Sequence, residues 1–402
     1  MPDLHLLSPA GFKASAVYAG IKRRQVPDVG LLLCDTLAPA AAVFTTNKVF
    51  AAPIQVGREH IASGKLRGIV VNSGNANACT GRQGLLDARR MCDLAAQVAG
   101  CTTQQILPSS TGIIGRMLPM QKVERGIVEA GQCLGSSQDH ANLFADAILT
   151  TDTRRKAAAA RFKIGRQTIT LAGVCKGSGM IGPRMGPPHA TMLAYLTTDA
   201  AVAPALLRKM LTGATEGSFN AVTIDNHMST NDTAAVLASG ASGVEIASER
   251  DRKTFIRALN EVCQSLAYQI AADGEGATKV VRIEVKNAAT SAAARAMARA
   301  IADSPLVKCA MHGNDPNWGR IVSAAGMAGV AFDPDKSVLT LQKVAVFRAG
   351  RPLAFDAAAL SAALKVPEVR VELNCRMGKA SHTCWTCDLS REYITINADY
   401  HT

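Results

Sequence analysis

Aromatic residues make up only 4% of the 402 positions, so the interior has to be built from Ala, Val, Leu, Ile and Met. No uninterrupted apolar run reaches about 18 residues, which argues against a transmembrane helix. The opening stretch "MPDLHLLSPAGFKASAVYAG" lacks the basic start and apolar core of a secretory signal, and a cytoplasmic protein is expected. There is no fixed-period repeat and no long low-complexity tract. Neither GxxxxGK[ST] nor a well-placed GxGxxG occurs, so a bound nucleotide has no support. The formal charge is +12, yet Lys and Arg are scattered, with "IKRRQ" and "TRRKAAAARFK" the densest patches. A nucleic-acid face would cluster them and interleave aromatics. The basicity fits a generally positive surface that steers small acidic substrates. No nucleic-acid or membrane partner is expected.

What is there is ordinary for a globular chain: 48% hydrophobic and 19% charged residues. The length allows two or three domains, or one large two-lobed unit. The 11 cysteines are odd in number and come without a secretory signal, which points to reduced thiols. Cys375, His382, Cys384 and Cys387 place one CxxC beside a His and a further Cys. A tetrahedral zinc site needs four converging ligands; buried thiols are the simpler reading. No metal and no cofactor are expected.

Helices and strands are mixed along both halves. "VGLLLCDTLAPAAAVFTT" reads as two strands with a turn around Pro39. "LRGIVVNSGNANACTG" reads as a buried strand running into a Gly/Asn loop. "GRQGLLDARRMCDLAAQVAG" has helical spacing and ends in Gly100, a good C-terminal cap. "QKVERGIVEAGQCL" and "DHANLFADAILTT" read as helices, and "AARFKIGRQTITLAGVC" as a hairpin. "TMLAYLTTDA" is strand-like. "PALLRKMLTGATEGSF" and "DRKTFIRALNEVCQSLAYQIAADG" are amphipathic helices. "ATKVVRIEVKNA" is a strand, and "AARAMARAIADSPLVKCAMHG" reads as a helix leading into a strand. "SVLTLQKVAVFRAGRPLAFD" reads as a hairpin. "PEVRVELNCRMG" and "TCWTCDLSREYITINADYHT" supply the last strands. The pattern is not regular βαβ alternation; layered α/β with substantial antiparallel sheet fits better.

Several polar stretches are candidates for chemistry. "KGSGMIGPRMGPPHATMLAYLTTDA" runs a Gly, Pro and Ser stretch into Ala190-Thr191 and then an apolar strand. A Thr hydroxyl is a poor nucleophile without a base, and the most economical base is its own α-amine once the preceding peptide is cut. A free α-amine has a pKa of about 7.7–8, so it is largely neutral at cellular pH. In "PSSTGIIG", Thr111 and Gly112 offer donors for an oxyanion hole; an N-cap and turn is the ordinary alternative. "NSGNANACTG" allows close backbone approach to a ligand, or is a tight connection. In "DGEGATK", Glu275 stands between two glycines, exposed and mobile enough to meet a substrate amine, or in a solvated turn. "TIDNHMSTNDT" and "MHGNDPNWGR" are polar islands between apolar runs. "INADYHT" reads as a strand-like tail whose end is docked, although tails usually fray.

Taken together these stretches resemble the ornithine acetyltransferase (glutamate N-acetyltransferase) family of arginine biosynthesis. The resemblance spans essentially the whole chain. It is carried by "VFTTNKVFAAPI", "VNSGNANACTG", "PSSTGIIG", "TTDT" at Thr150–Thr153, "KGSGMI", "ATML", "STNDT", "ADGEGATK", "GNDPNWGRI" and "INADY". It implies a layered α/β sandwich with mixed, largely antiparallel sheets flanked by helices, resembling but distinct from the N-terminal-nucleophile hydrolases. It implies a precursor that cuts itself between Ala190 and Thr191. The products are an α chain, residues 1–190, and a β chain, residues 191–402, which stay together as a heterotetramer of two each. The implied reaction is ping-pong: N-acetylornithine gives its acetyl group to Thr191, ornithine leaves, and glutamate takes the group. Some members also use acetyl-CoA as donor. Thr191 is then the nucleophile and its freed amine the base. Thr111 and Gly112 stabilise the oxyanion. Thr153, Lys176, Thr191, Glu275, Asn397 and Thr402 hold substrate. A Lys suits the α-carboxylate, and Glu275 suits the ornithine side-chain ammonium.

The chain departs from the family pattern in two places. Before the cut, Arg184 replaces an Asn, and Gly186-Pro187-Pro188-His189 is inserted ahead of Ala190. The two prolines stiffen the insertion, and His189 adds a candidate base. In "TIDNHMSTNDT", Asn226, His227 and Met228 stand where Gly, Asp and Thr are expected, exchanging a carboxylate for an imidazole. Survival of the self-cleavage is the reading carried forward. Two others stay open: a relative with the same Thr chemistry on another amide or acyl substrate, and an uncut, non-enzymatic protein on the same fold.

Overall fold

The computed structural model describes residues 4–182 and 192–399. The chain divides into two compact units. One takes the described chain up to Asn220 together with His227–Leu266; the other takes Ala221–Asn226 and the described chain from Ala267 onward.

The first unit is built on β1 (Phe12–Val17), β2 (Val29–Phe44), β3 (Lys65–Asn75), β4 (Ile106–Ile113), β5 (Lys156–Ile164), β6 (Gln167–Lys176), β7 (Leu193–Thr198) and β8 (Thr233–Ala238). Their hydrogen-bonded order is β4-β3-β2-β8-β7-β6-β5, with β1 on β2. The pairs β3–β4 and β7–β8 are parallel, the rest antiparallel.

The reading of two strands with a turn at Pro39 is corrected: β2 is one 16-residue strand that changes partner. Val29–Leu33 pairs with β3 and Ala40–Phe44 with β8, with a register break between Leu33 and Ala38. Asp35, Thr36 and Leu37 are exposed at the break, and a proline just past a bulge gives up little ladder bonding.

This change of partner folds the sheet over. Alternate β2 residues then serve two cores. Leu32, Ile69 and Val71 share a buried cluster with Val174, Tyr195 and Leu237 from the other arm. Leu31, Leu33 and Val70 face Met91 and Ala95 of the helix Gly81–Ala99 and Ile127 of the helix Met120–Gln132. Gly100 ends the first of these helices in the left-handed conformation, φ 63°, as its spacing predicts. On the outer side of the second arm, Phe255 of the helix Glu249–Ala272 meets Phe162 of β5 edge-on. The unit is thus a helix-flanked α/β sandwich.

The second unit has β9 (Val280–Ala288), β10 (Val338–Leu341), β11 (Val344–Arg348), β12 (Arg351–Pro352), β13 (Glu368–Asn374) and β14 (Ala380–Cys387), in the order β12-β11-β10-β13-β9-β14. Only β9–β13 is parallel among its described pairs. Val281, Ile283 and Val285 pack against Met297 and Ile301 of the helix Ser291–Asp303.

Two readings are corrected here. "SPLVKCAMHG" forms a second helix, Pro305–His312, and not a strand. Ser304 caps it, accepting from the Val307 N–H, and Pro305 stands in its first turn. "REYITINAD" forms a helix, Arg391–Asp399, in place of the expected strand-like tail. The β-branched residues that suggested a strand are overridden by docking: the Ser390 hydroxyl donates to the Gly276 carbonyl at 2.6 Å.

The predicted division at residue 190 concerns covalent continuity, and β7 and β8 follow it while being central strands of the first unit. Among the described residues no helix is long and apolar enough to cross a membrane.

Candidate active site

In the first unit, Thr111 and Gly112 lie at the end of β4. Gly74 of β3 faces Gly112 across the parallel pair. Gly112 has φ 131°, and a Cβ there would sit 2.4 Å from the Gly74 carbonyl carbon and 2.5 Å from the Asn75 nitrogen. Only glycine permits this backbone approach.

The "NSGNANACTG" side chains turn inward and brace that end. Ser110 donates to Asn72 Oδ1 at 2.6 Å, and Asn72 Nδ2 to the Asn75 carbonyl at 2.9 Å. Asn75 Nδ2 donates to the Arg116 and Met117 carbonyls, and Thr80 to Asn77 Oδ1 at 2.7 Å. The loop is a scaffold for β4.

Lys176 ends β6 and is buried; its Nζ reaches Thr111 Oγ1 at 3.4 Å. Beside it, the buried Asp152 carboxylate accepts from Lys156 Nζ at 2.6 Å and from the Gly177 N–H at 2.7 Å. Burial would raise the Asp152 carboxyl; Lys176, Lys156 and the Gly177 N–H outweigh it and bring it down to about 2. Thr153 follows at an exposed position. Lys176 also pairs with Leu193 of β7, so the strands flanking the Gly/Pro stretch end level with each other. Ala190, Thr191, Arg184, the Gly186–His189 insertion and Thr402 lie outside the described residues.

Asp232, in "STNDT", is buried at the start of β8. Among the described residues neither carboxylate oxygen has a hydrogen-bond partner. Burial pushes its carboxyl well up, although Lys176 pulls the other way.

In the second unit, the reading of Glu275 as exposed and mobile is corrected: it is buried, at 8% exposure. Its neighbour Gly276 has φ 69°, and a Cβ there would meet the Tyr393 nitrogen at 2.5 Å. The close approach of the C-terminal helix is what covers Glu275. Asn397 Nδ2, on that helix, donates to Glu275 Oε2 at 2.9 Å and to the Tyr393 carbonyl at 2.9 Å. Close by, Asp388 accepts from the Thr278 hydroxyl at 2.7 Å, from the Thr278 and Lys279 N–H groups, and meets His312 Nδ1 at 2.7 Å. Lys279 Nζ donates to Asn314 Oδ1 at 2.6 Å, so "GNDPNWGR" is tied inward. Of the residues that depart from the family pattern, Asn226 takes φ 55° and accepts from Arg299, while His227 is exposed.

The tail cysteines are buried thiols. Burial pushes Cys375 up to about 11 and Cys384 up to about 12, and raises Cys387. Cys384 and Cys387 are three apart on one strand, which points them to opposite faces. Among the described residues no group of three or more His, Cys, Asp and Glu is placed to hold a metal.

The sequence reading missed Asp152, Lys156 and Asp232. All three sit inside stretches the sequence offers for other reasons, "TTDT", "TRRKAAAARFK" and "STNDT"; the apolar surroundings that make them unusual come from distant strands.

A family model described as "ArgJ family" matches residues 13–402. A Bacillus cereus protein described as arginine biosynthesis bifunctional protein ArgJ is 43% identical over 400 residues, spanning 99% of this chain and 97% of its own. Its counterpart from Symbiobacterium thermophilum is 45% identical over 399 residues, 98% of each chain. A crystal structure of the ArgJ protein of Bacillus halodurans is 41% identical, with TM-score 0.44, covering 46% of this chain and 95% of that one. The ornithine acetyltransferase of Mycobacterium tuberculosis, solved with ornithine, is 30% identical, with TM-score 0.42, covering 46% and 98%.

Proposed function

The chain belongs to the ArgJ family of arginine-biosynthesis enzymes, and on that premise we propose that it moves the acetyl group of N-acetylornithine to glutamate through an acetyl ester on Thr191. Self-cleavage comes first. One water is consumed; its hydroxyl goes to the Ala190 carbonyl carbon and Thr191 keeps the proton as a free α-amine. That amine takes the Thr191 hydroxyl proton as the oxygen attacks the acetyl carbonyl. The C–N bond breaks, the proton passes to the leaving nitrogen, and ornithine departs. The glutamate amine then attacks the ester, and Thr191 recovers its proton.

The observation that carries this reading is Lys176 Nζ at 3.4 Å from Thr111 Oγ1, beside Gly112. An ammonium can only donate. Thr111 therefore accepts from Lys176 and keeps its own O–H for another acceptor, as an oxyanion donor must. The Lys176 charge also suits the α-carboxylate that ornithine and glutamate share. Glu275 and Asn397, with Thr153 and Thr402, complete the substrate contacts in this reading. Glu275 takes the ornithine ammonium. Acetyl-CoA is the second donor we assign, in keeping with relatives named bifunctional, and the cut α and β chains remain together as two pairs.

The test is intact mass under denaturing conditions, then acetyl transfer. Two species divided between Ala190 and Thr191, with transfer to glutamate from N-acetylornithine, support the reading. A single uncut chain of 42.1 kDa after long incubation removes it. Turnover confined to other N-acyl amines moves it to a different substrate. Native mass checks the tetramer.

A further inference from the structure

Glutamate carries a carboxylate that ornithine lacks, and Lys176 suits only the one they share. A second cation stands at the same strand ends. Lys22 lies in the loop between β1 and β2, and that loop is wound around one buried carboxylate. Asp28 accepts from the Ala19 N–H at 2.7 Å, the Ile21 N–H at 2.6 Å and the Lys22 N–H at 2.9 Å. The helix Met120–Gln132 also holds the loop: Lys122 Nζ donates to the Gly20 carbonyl at 2.7 Å and Arg125 to the Ala19 carbonyl at 3.0 Å. Lys22 is thereby fixed against β3. A Cβ on Gly74 would sit 3.2 Å from Lys22 Cγ and 3.4 Å from its nitrogen, and Gly74 is the residue that faces Gly112. The Lys22 stem is laid against the close approach of β3 and β4 that presents Thr111 and Gly112.

Its ammonium is placed to receive an anion. An ammonium has three protons. One goes to the Pro27 carbonyl at 2.9 Å, and among the described residues no carboxylate stands within ion-pair distance of Nζ. Lys156, by contrast, has Asp152. Burial brings the Lys22 ammonium down to about 8; Asp28 raises it, Lys176 lowers it, and Asp152 and Asp146 raise it. Lys22 therefore keeps its charge at neutral pH, and that charge is opposed by the charge of Lys176, whose Nζ reaches Thr111. Two like charges held at one end of a sheet are relieved by a ligand with a negative charge for each.

We propose that Lys22 binds the side-chain carboxylate of the acceptor glutamate while Lys176 holds its α-carboxylate, and that Lys22 thereby selects a dicarboxylic acceptor over its amide. The inference rests on the acyl-transfer reading above and extends it on the acceptor side. The ornithine side chain ends in an ammonium, which this cation repels, so the contact belongs to the acceptor half of the reaction.

The experiment compares the wild type with K22M and K22R, each purified as the full chain, with N-acetylornithine as donor and either glutamate or glutamine as acceptor. Ornithine release and acetyl transfer are read separately. K22M is expected to lose about 10–100-fold in kcat/KM for glutamate, chiefly through KM, the range of a hydrogen bond to a charged group. The value for glutamine is expected to move far less, so the preference for glutamate collapses. K22R, which keeps the cation, is expected to keep the preference. A K22M enzyme with the wild-type preference overturns the proposal. So does one in which glutamate, glutamine and N-acetylornithine weaken alike, which makes Lys22 a support for the loop around Asp28. If K22M does not fold, K22Q replaces it with the same readouts; loss of fold in both overturns the proposal by making Lys22 structural. A wild type that releases no ornithine from N-acetylornithine removes the acyl-transfer reading and this one together, whereas a wild type that transfers acetyl beside an indistinguishable K22M removes this one alone.

Discussion

Lys176 Nζ lies 3.4 Å from Thr111 Oγ1, although β6 and β4 are separated in the sheet by β3, β2, β8 and β7. The contact exists because β2 leaves β3 for β8 partway along its length and turns one arm of the sheet over the other. At 3.4 Å the hydrogen bond is weak. What it secures is a buried positive charge beside the hydroxyl assigned to the oxyanion.

Replacing that hydroxyl should therefore act on the chemical step. T111A is expected to lower kcat about 10²–10³-fold with KM nearly unchanged, the cost of one oxyanion donor, and T111S to retain most of the rate. Steady-state kinetics on the cut protein decide it. An active T111A would withdraw Thr111 from the role.

Gly112 should not tolerate a side chain. Both φ 131° and the 2.4 Å approach to Gly74 oppose a Cβ, and the atoms met are backbone. G112A is expected to lose roughly 2–5 kcal/mol from strain and overpacking together, read as a fall in the urea midpoint at constant slope. A wild-type midpoint would show that β3 and β4 can part freely.

Asp152 should hold the Lys156 and Gly177 end of the cluster in place. D152N leaves the buried Lys156 without its carboxylate and is expected to cost about 3–5 kcal/mol. Its pH dependence has a definite sign. The folded-state carboxyl is depressed, from its usual value near 3.8 to about 2. Its contribution, of order 2 kcal/mol, is complete above the unfolded value and is lost as pH falls toward 2. Denaturant melts at pH 6 and at pH 2–3 should show the wild type losing this increment and D152N lacking it at both. Equal acid sensitivity in the two proteins would contradict the assignment.

Glu275 should discriminate between the two substrates. E275Q preserves the contact with Asn397 through an amide and removes the charge. The KM for N-acetylornithine is expected to rise about 10–100-fold, the range of a hydrogen bond to a charged group, with the KM for glutamate moving far less. Parallel changes in both would make Glu275 a support for the C-terminal helix and not a substrate contact.

Thiol labelling of the native protein should find Cys79, Cys133 and Cys309 first, since these are exposed. Cys384 and Cys387 should react only on unfolding, being buried and held as neutral thiols. Rapid labelling of the tail pair would show that β14 opens in the native state.

Much of the fold was legible. The helix Gly81–Ala99 with its Gly100 cap, the β5–β6 hairpin and strand β9 follow from local spacing, and local spacing is a property of neighbouring residues. The errors fall where a distant segment overrides local preference. "REYITINAD" is rich in β-branched residues, yet it is a helix because Ser390 and Asn397 dock on Gly276 and Glu275, over a hundred positions earlier. Pro39 suggested a turn because a lone proline is a local sign; that β2 runs on depends on two different partner strands being present on either side of the bulge.

By itself the sequence determined the family, the order of its motifs and the residue types available for acyl transfer, because ten motifs in a fixed order leave little room for another kinship. Tertiary structure alone decided that Lys176 meets Thr111, that Glu275 is buried beneath the C-terminal helix, and that among the described residues Asp152 is paired while Asp232 is not. The reason is physical. Burial and charge pairing are set by strands that pair across long separations, and the energy of an ionised side chain depends on what surrounds it in space and not on its neighbours along the chain.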